Sequence, residues 1–361
     1  MKILIITPSY FPKVTGNAVC TKRITIGLKS LNNEVMIVTP EEVDIKKIKE
    51  FRPDILHALH AYRSRVVMSL SKELKIPYIV TLTGSDYDKY IINCLNEDFN
   101  SMKLKKKKMT LEVMNNSSAL VVYNDGTRER LLSCLNKISG LNEMSNKLFV
   151  IGKNIPTIKN SEYNFRKELG ISKSDFLFTL IAGVRPIKNN VFPGMALADL
   201  QKQYDNLILA LVGFVADEKY NELLKKSISD KKWIKYVGGI PLDKMNQVYL
   251  ESDVILNSSK SEGESNAMVE AMFYSKPILA SDVSGNSILV QDGINGYTYI
   301  NENQTDFFNK AKELYGNKKL REDFAKSAKL TSNKIINKNE ADDYLRLYSL
   351  AISNFEKNVK L

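Results

Sequence analysis

The chain has 361 residues, 43% of them hydrophobic and 26% charged, and a net charge of +11. These are globular proportions; the length points to two domains with separate cores, and no run approaches the roughly 20 apolar residues of a membrane-spanning helix. Three scattered cysteines (Cys20, Cys94, Cys134) and two histidines supply neither a zinc-ligand spacing nor a disulfide framework, so a reducing cytoplasm is the expected compartment.

In chain order, KILIITPSY (2–10) reads as a buried strand and not a signal segment, because its apolar run is short and meets Pro12. CTKRITIGLKSL (20–31) spaces Ile24, Leu28 and Leu31 as a helix. EVMIVTP (34–40), DILHALH (54–60), PYIVTLTG (77–84), ALVVYND (119–125) and KLFVIGKNIP (147–156) read as further strands with helices between them. After a polar stretch at 160–175 the pattern restarts with FLFTLIAG (176–183), LILALVGF (207–214), WIKYVGG (233–239), DVILNSS (253–259), KPILASD (276–282) and GYTYI (296–300). Apolar strands alternating with helices imply parallel sheets covered on both faces. The expected architecture is α/β, with two Rossmann-like, doubly wound domains at 1–155 and 170–335. A ligand is expected in the crevice at the carboxyl ends of the strands. The last helix, 339–361, has no strand after it and is expected to complete the first domain.

Two segments stand out chemically. KLKKKK (103–108) is either a solvated helix face or a patch for anionic lipid at the inner membrane face. No aromatic-interleaved basic motif suggests nucleic acid. SKSEGESNAMVEAM (259–272) places Glu262, Glu264 and Glu270 among small residues, between a strand and a helix. Ser265 or Asn266 suits the helix N-cap, and the backbone amides of Gly263, Ser265, Asn266, Ala267 and Met268 could cradle a phosphate. Carboxylates repel a phosphate, so Glu262 and Glu270 are expected to accept hydrogen bonds from neutral hydroxyls beside it, each worth roughly 1.5–3 kcal/mol. The alternative is acids that merely complement the helix dipole.

Glu262, seven residues, then Glu270 followed by AMFYSKPILASD resembles the signature of family 4 retaining glycosyltransferases, which have the two-domain GT-B fold with a central cleft. ITPSYFPKVTGNAV, PDILHALH, IAGVRPIK, YVGGIP and SDVSGNSILVQDGINGYTY extend the resemblance over nearly the whole chain. TGNAV, ALH-x-YR, RP-x-K and NSS-x-SEG are similar to a subgroup that includes animal glycosyltransferase 1 domain-containing proteins and bacterial selenosugar synthase.

The resemblance implies transfer of a sugar from a nucleotide-diphosphate sugar, UDP-sugar favoured, with retention and with no metal or other cofactor. It places the donor diphosphate on Arg185 and Lys188, which are three apart here, closer than the family's usual spacing. Gly16, in KVTGNAV, would admit a phosphate or sugar to the backbone, or is a turn glycine. Where many family members carry a histidine, this chain has TGSD (83–86), and Asp86 is the candidate polar contact or base. Asp86 and Asp88 also form a DxD pair, the alternative metal reading. His57 and His60 would face the cleft or sit satisfied at a strand end, and Tyr62, Arg63 and Arg65 would meet an anionic acceptor. Selenophosphate-like acceptors and an inactive nucleotide-sugar binding protein are the rival readings. Glu264 is left without a role.

Overall fold

The computed structural model describes residues 1–12, 15–84, 86–87, 91, 101–136, 142–155 and 162–359. Ser85, Asp88 and Cys94 lie outside them. The chain forms two compact units, Met1–Asn154 with Ile335–Leu361, and Ile155–Lys334.

In the first unit six parallel strands, β1 (Lys2–Ile6), β2 (Glu34–Val38), β3 (Ile55–Leu59), β4 (Tyr78–Thr81), β5 (Ala119–Val122) and β6 (Leu148–Val150), lie in the order 2-1-3-4-5-6. The helices of its N-terminal part are α1 (Gly16–Ser30), α2 (Ile45–Phe51), α3 (Val67–Leu74), α4 (Ser101–Asn115) and α5 (Asp125–Leu135). The order reverses between β1 and β3, and ligands of open α/β sheets bind beside such a reversal, outside the carboxyl ends of the strands. Successive strand residues face opposite sides. Leu4, Ile6, Leu56, Ala58, Val80, Leu120 and Val122 build one core layer. Ile3, Ile5, Ile55, Leu59, Ile79, Ala119 and Val121 build the other. The expected strand 2–10 ends at Ile6. Beyond it the polar side chains turn to local hydrogen bonding: Thr21 Oγ1 donates to Thr7 Oγ1 at 3.0 Å, and Thr7 Oγ1 donates to the Ser9 carbonyl at 3.1 Å.

The second unit repeats the plan with β7 (Phe176–Ile181), β8 (Leu207–Val212), β9 (Ile234–Gly238), β10 (Val254–Asn257), β11 (Ile278–Ser281) and β12 (Tyr297–Tyr299), in the order 12-11-10-7-8-9. Its helices are α6 (Phe165–Leu169), α7 (Phe192–Ala196), α8 (Ala198–Gln203), α9 (Glu218–Ile228), α10 (Met245–Glu251), α11 (Asn266–Phe273), α12 (Ser284–Ser287), α13 (Gln304–Gly316) and α14 (Lys318–Ile335). The order reverses between β7 and β10, so the loops after these two strands occupy the binding position of such a sheet. An aromatic cluster fixes one layer: Phe192 stacks on Tyr299 at 5.5 Å, and Phe307 meets Tyr299 edge-on at 4.9 Å.

The final helix, α15 (Glu340–Val359), belongs to the first unit. Tyr344, Leu347, Tyr348 and Ala351 complete the layer built on Ile3 and Ile5. Its start is clasped by Arg23, whose Nε and Nη2 each lie 2.8 Å from the Glu340 carboxylate. The Asn154 amide donates to Glu340 at 3.0 Å, and the Asn337 amide donates to the Lys153 carbonyl at 3.0 Å. Two carboxylate oxygens thus hold α1, α15 and the chain leaving β6.

Candidate active site

In the second unit, β7 delivers GVRPIK to the switch point and β10 delivers SSKSEG beside it. Asn190 ties the first loop: its Oδ1 accepts the Arg185 amide at 3.3 Å and its Nδ2 donates to the Ala182 carbonyl at 3.3 Å. The loops are then laced together. Ser258 Oγ donates to the Lys188 carbonyl at 2.9 Å, and the Lys260 amide donates to the Ile187 carbonyl at 2.9 Å. Behind them Ser281 Oγ donates to the Ser259 carbonyl at 2.6 Å, and Asn286 Nδ2 donates to Ser281 Oγ at 3.0 Å.

This lacing brings Lys188 onto Glu262. The ammonium donates to Glu262 Oε2, and Ser259 Oγ donates to the same oxygen at 2.9 Å. The side chains are only 16% and 12% exposed. Burial alone raises the Glu262 carboxyl, but the Lys188 charge and hydrogen bond, the Ser259 hydroxyl and the Arg185 charge together hold it below the usual carboxylate range. Arg185 itself is exposed. An ionised carboxylate, two cations and surrounding backbone can hold a ligand carrying both hydroxyls and phosphates.

Ser265 is the N-cap of α11, and its side chain makes no capping hydrogen bond. Gly263 is buried under Gly285, where a Cβ would lie 2.3 Å from the Gly263 carbonyl and 2.0 Å from that of Glu262. Asn266 and Ala267 are half-buried at the helix start. Met268 is fully buried in the core, and its amide donates to the Ser265 carbonyl at 3.2 Å. Glu270 follows one turn on; its Oε2 accepts the Tyr249 hydroxyl at 2.7 Å. Glu264 is half-buried. Glu262 and Glu270 thus take different hydrogen-bond partners, Lys188 and Ser259 for the first and Tyr249 for the second.

In the first unit His57 takes one of its two expected places and the expectation for Asp86 is corrected. His57 is satisfied within the fold. As a residue of β3 it shares the side of Ile55 and Leu59, which α15 covers, and its ring nitrogens lie 2.7 Å from Tyr348 Oη and 2.7 Å from Thr81 Oγ1. Burial pushes this imidazole down to about 3. Asp86 is not available as a base. Fully buried, it accepts the amides of Ala61 at 3.1 Å, Thr83 at 3.1 Å and Tyr87 at 3.2 Å, and so ties the loop after β4 to the turn after β3. His60 is also buried; its Nδ1 accepts the Arg63 amide at 3.3 Å and lies 4.0 Å from Asp86. Burial lowers its imidazole, opposed by the Asp86 charge.

Other candidates of this unit remain at the surface. Arg63 and Arg65 are exposed and Tyr62 is half-buried, with the Arg65 guanidinium 4.9 Å and the Lys106 ammonium 5.8 Å from its ring. Gly16 opens α1, capped by Thr15 Oγ1, which accepts the Ala18 amide at 3.1 Å; a Cβ on Gly16 would meet nothing within 4 Å. Among the described residues, no three His, Cys, Asp or Glu side chains gather as a metal-ligand set.

Residues 161–331 match the family described as glycosyl transferases group 1. The match spans most of the second unit, including the loops of Lys188 and Glu262. Over 87% of its length the chain is 24% identical to alpha-monoglucosyldiacylglycerol synthase of Acholeplasma laidlawii, covering 86% of that protein. Half of it is 26% identical to glycosyltransferase 1 domain-containing protein 1 of Xenopus tropicalis, covering 51% of that relative. Among solved structures, Anabaena HepE in complex with UDP and glucose superposes with a TM-score of 0.73 at 17% identity over the full length of both chains. Sucrose-phosphate synthase of Thermosynechococcus elongatus gives 0.79 at 14% identity, over 98% of this chain and 99% of that one. The fold is GT-B, and the family match and relatives support a glycosyltransferase.

Proposed function

We propose that the protein is a retaining glycosyltransferase of family 4 that takes its sugar from a nucleotide-diphosphate sugar, with a UDP-sugar as the donor. The observation that carries this reading is the Lys188–Glu262 pair beside Arg185 at the switch point of the second unit. Arg185 and Lys188 stabilise the charge that grows on the departing diphosphate. The amides opening α11 bind its phosphate oxygens. Glu262 accepts hydroxyls of the transferred sugar, and Glu270 accepts those of the ribose. HepE was solved with UDP and with UDP-glucose, which favours the uridine donor. With Asp86 committed to backbone amides, the acceptor proton passes to the leaving diphosphate oxygen on the same face of the sugar, and no metal takes part.

The acceptor is assigned to the first unit. Exposed Arg63 and Arg65 beside Tyr62 favour an anionic acceptor, either a soluble phosphorylated molecule of the selenophosphate type or a molecule at an anionic membrane surface reached through α4. Transfer to soluble phosphorylated acceptors, compared with transfer to acceptors in anionic vesicles, separates the two.

A thermal-shift panel of nucleotide sugars tests the donor assignment. A donor at about 100 times its dissociation constant adds ~2.7 kcal/mol of stability. One nucleotide sugar is expected to stand out, and turnover is expected to survive EDTA. A flat panel together with no transfer or donor hydrolysis overturns the reading.

A further inference from the structure

We infer that Tyr249 is a positioning residue for the donor: its hydroxyl holds the Glu270 carboxylate in the orientation that receives the ribose diol. This rests on the donor reading above and adds a residue to it. Tyr249 lies on α10, outside both donor loops, and is 1% exposed. Its hydroxyl donates to Glu270 Oε2 at 2.7 Å. The ring stacks on that of Tyr274 at 5.4 Å and 11°, while the Tyr274 amide donates to the Glu270 carbonyl at 3.0 Å. Glu270 is therefore held through its side chain from α10 and through its backbone from the end of its own helix. Burial and the neighbouring Glu270 charge raise the phenol well above its ordinary value, so it remains a donor throughout the working range. A glutamate has three side-chain torsions to fix on binding a ligand. Here the hydrogen bond from Tyr249 already restricts them, so less freedom is lost when the nucleotide arrives.

The measurement is UDP affinity by calorimetry, with donor KM and kcat, for the wild type and Tyr249→Phe, repeated with 2′,3′-dideoxy-UDP. Tyr249→Phe is expected to weaken UDP about 10-fold, equivalent to ~1.4 kcal/mol, and to raise donor KM similarly with kcat within about twofold. With the dideoxy nucleotide the two proteins are expected to bind alike, and Tyr249→Phe in a Glu270→Gln background is expected to add nothing. Equal UDP affinity in wild type and variant overturns the inference, and so does an equal loss with the dideoxy nucleotide, which marks a purely structural role. A wild type that binds no nucleoside diphosphate overturns the donor reading and this inference with it. Where Tyr249→Phe does not fold, para-methylphenylalanine at 249 fills the hydroxyl's volume without its proton and gives the same comparison.

Discussion

Lys188 and Glu262 are paired with little exposure, so removing one partner strands the other in a nearly closed site. Lys188→Met is expected to cost about 3–5 kcal/mol of stability, read from urea unfolding, and to abolish transfer. Glu262→Gln keeps the volume and the Ser259 contact, so the expected outcome is a folded protein with transfer lowered by roughly 100-fold or more, as for loss of one preorganised electrostatic group. His57 and Glu262 act in different pH windows. His57 is neutral in the fold, whereas the unfolded chain takes up a proton below the ordinary imidazole value of 6.5. Stability should therefore fall from there toward pH 3 by at most ~1.4 kcal/mol per unit. Glu262 is held below its ordinary value of 4.5, so its contribution is complete above that value and is lost as the pH falls below it. Denaturation curves at pH 7, 5.5 and 4 test this order, with His57→Gln expected to lessen the slope of the upper window, which the buried His60 shares, and to leave the lower one unchanged.

The strand–loop–helix element from β10 to α11 was legible because DVILN is a continuous buried run and NAMVEAMF spaces Met268, Ala271 and Met272 on one face. Its two acids could be separated by position along the helix. Their partners could not: Tyr249 is 21 residues from Glu270 and Lys188 is 74 from Glu262, and no local pattern encodes a contact between elements so far apart. His57 was readable in principle, since strand alternation places it with Ile55 and Leu59. Asp86 was not, because one acid in a Gly-containing loop looks the same whether it binds amides or a ligand. The element also depends on Gly285, on a different helix, whose missing Cβ leaves room for the Glu262 and Gly263 carbonyls. Gly285→Ala cannot be absorbed by rotating a side chain, because both opposing atoms are backbone. It is expected to displace the Glu262 loop, lowering UDP affinity and activity together while circular dichroism stays native.

Across the whole molecule the charge is unevenly divided. The first unit carries 28 Lys and Arg against 19 Asp and Glu, net +9, and the second 24 against 22, net +2. Exposed Met102 and Leu104 on α4, at 64% and 49%, stand next to exposed Lys105 and Lys108. Salt-sensitive sedimentation with phosphatidylglycerol vesicles is expected, reduced by Lys105→Gln with Lys108→Gln at about 1 kcal/mol per lysine; equal sedimentation with neutral vesicles would count against it. The same division of the chain governs the order in which the molecule is built. The second unit is one continuous segment, whereas the first waits for Tyr344, Leu347 and Tyr348, which are translated after it. During synthesis the half made first is thus the half finished last, because the sheet face that α1 covers in part is completed only by α15.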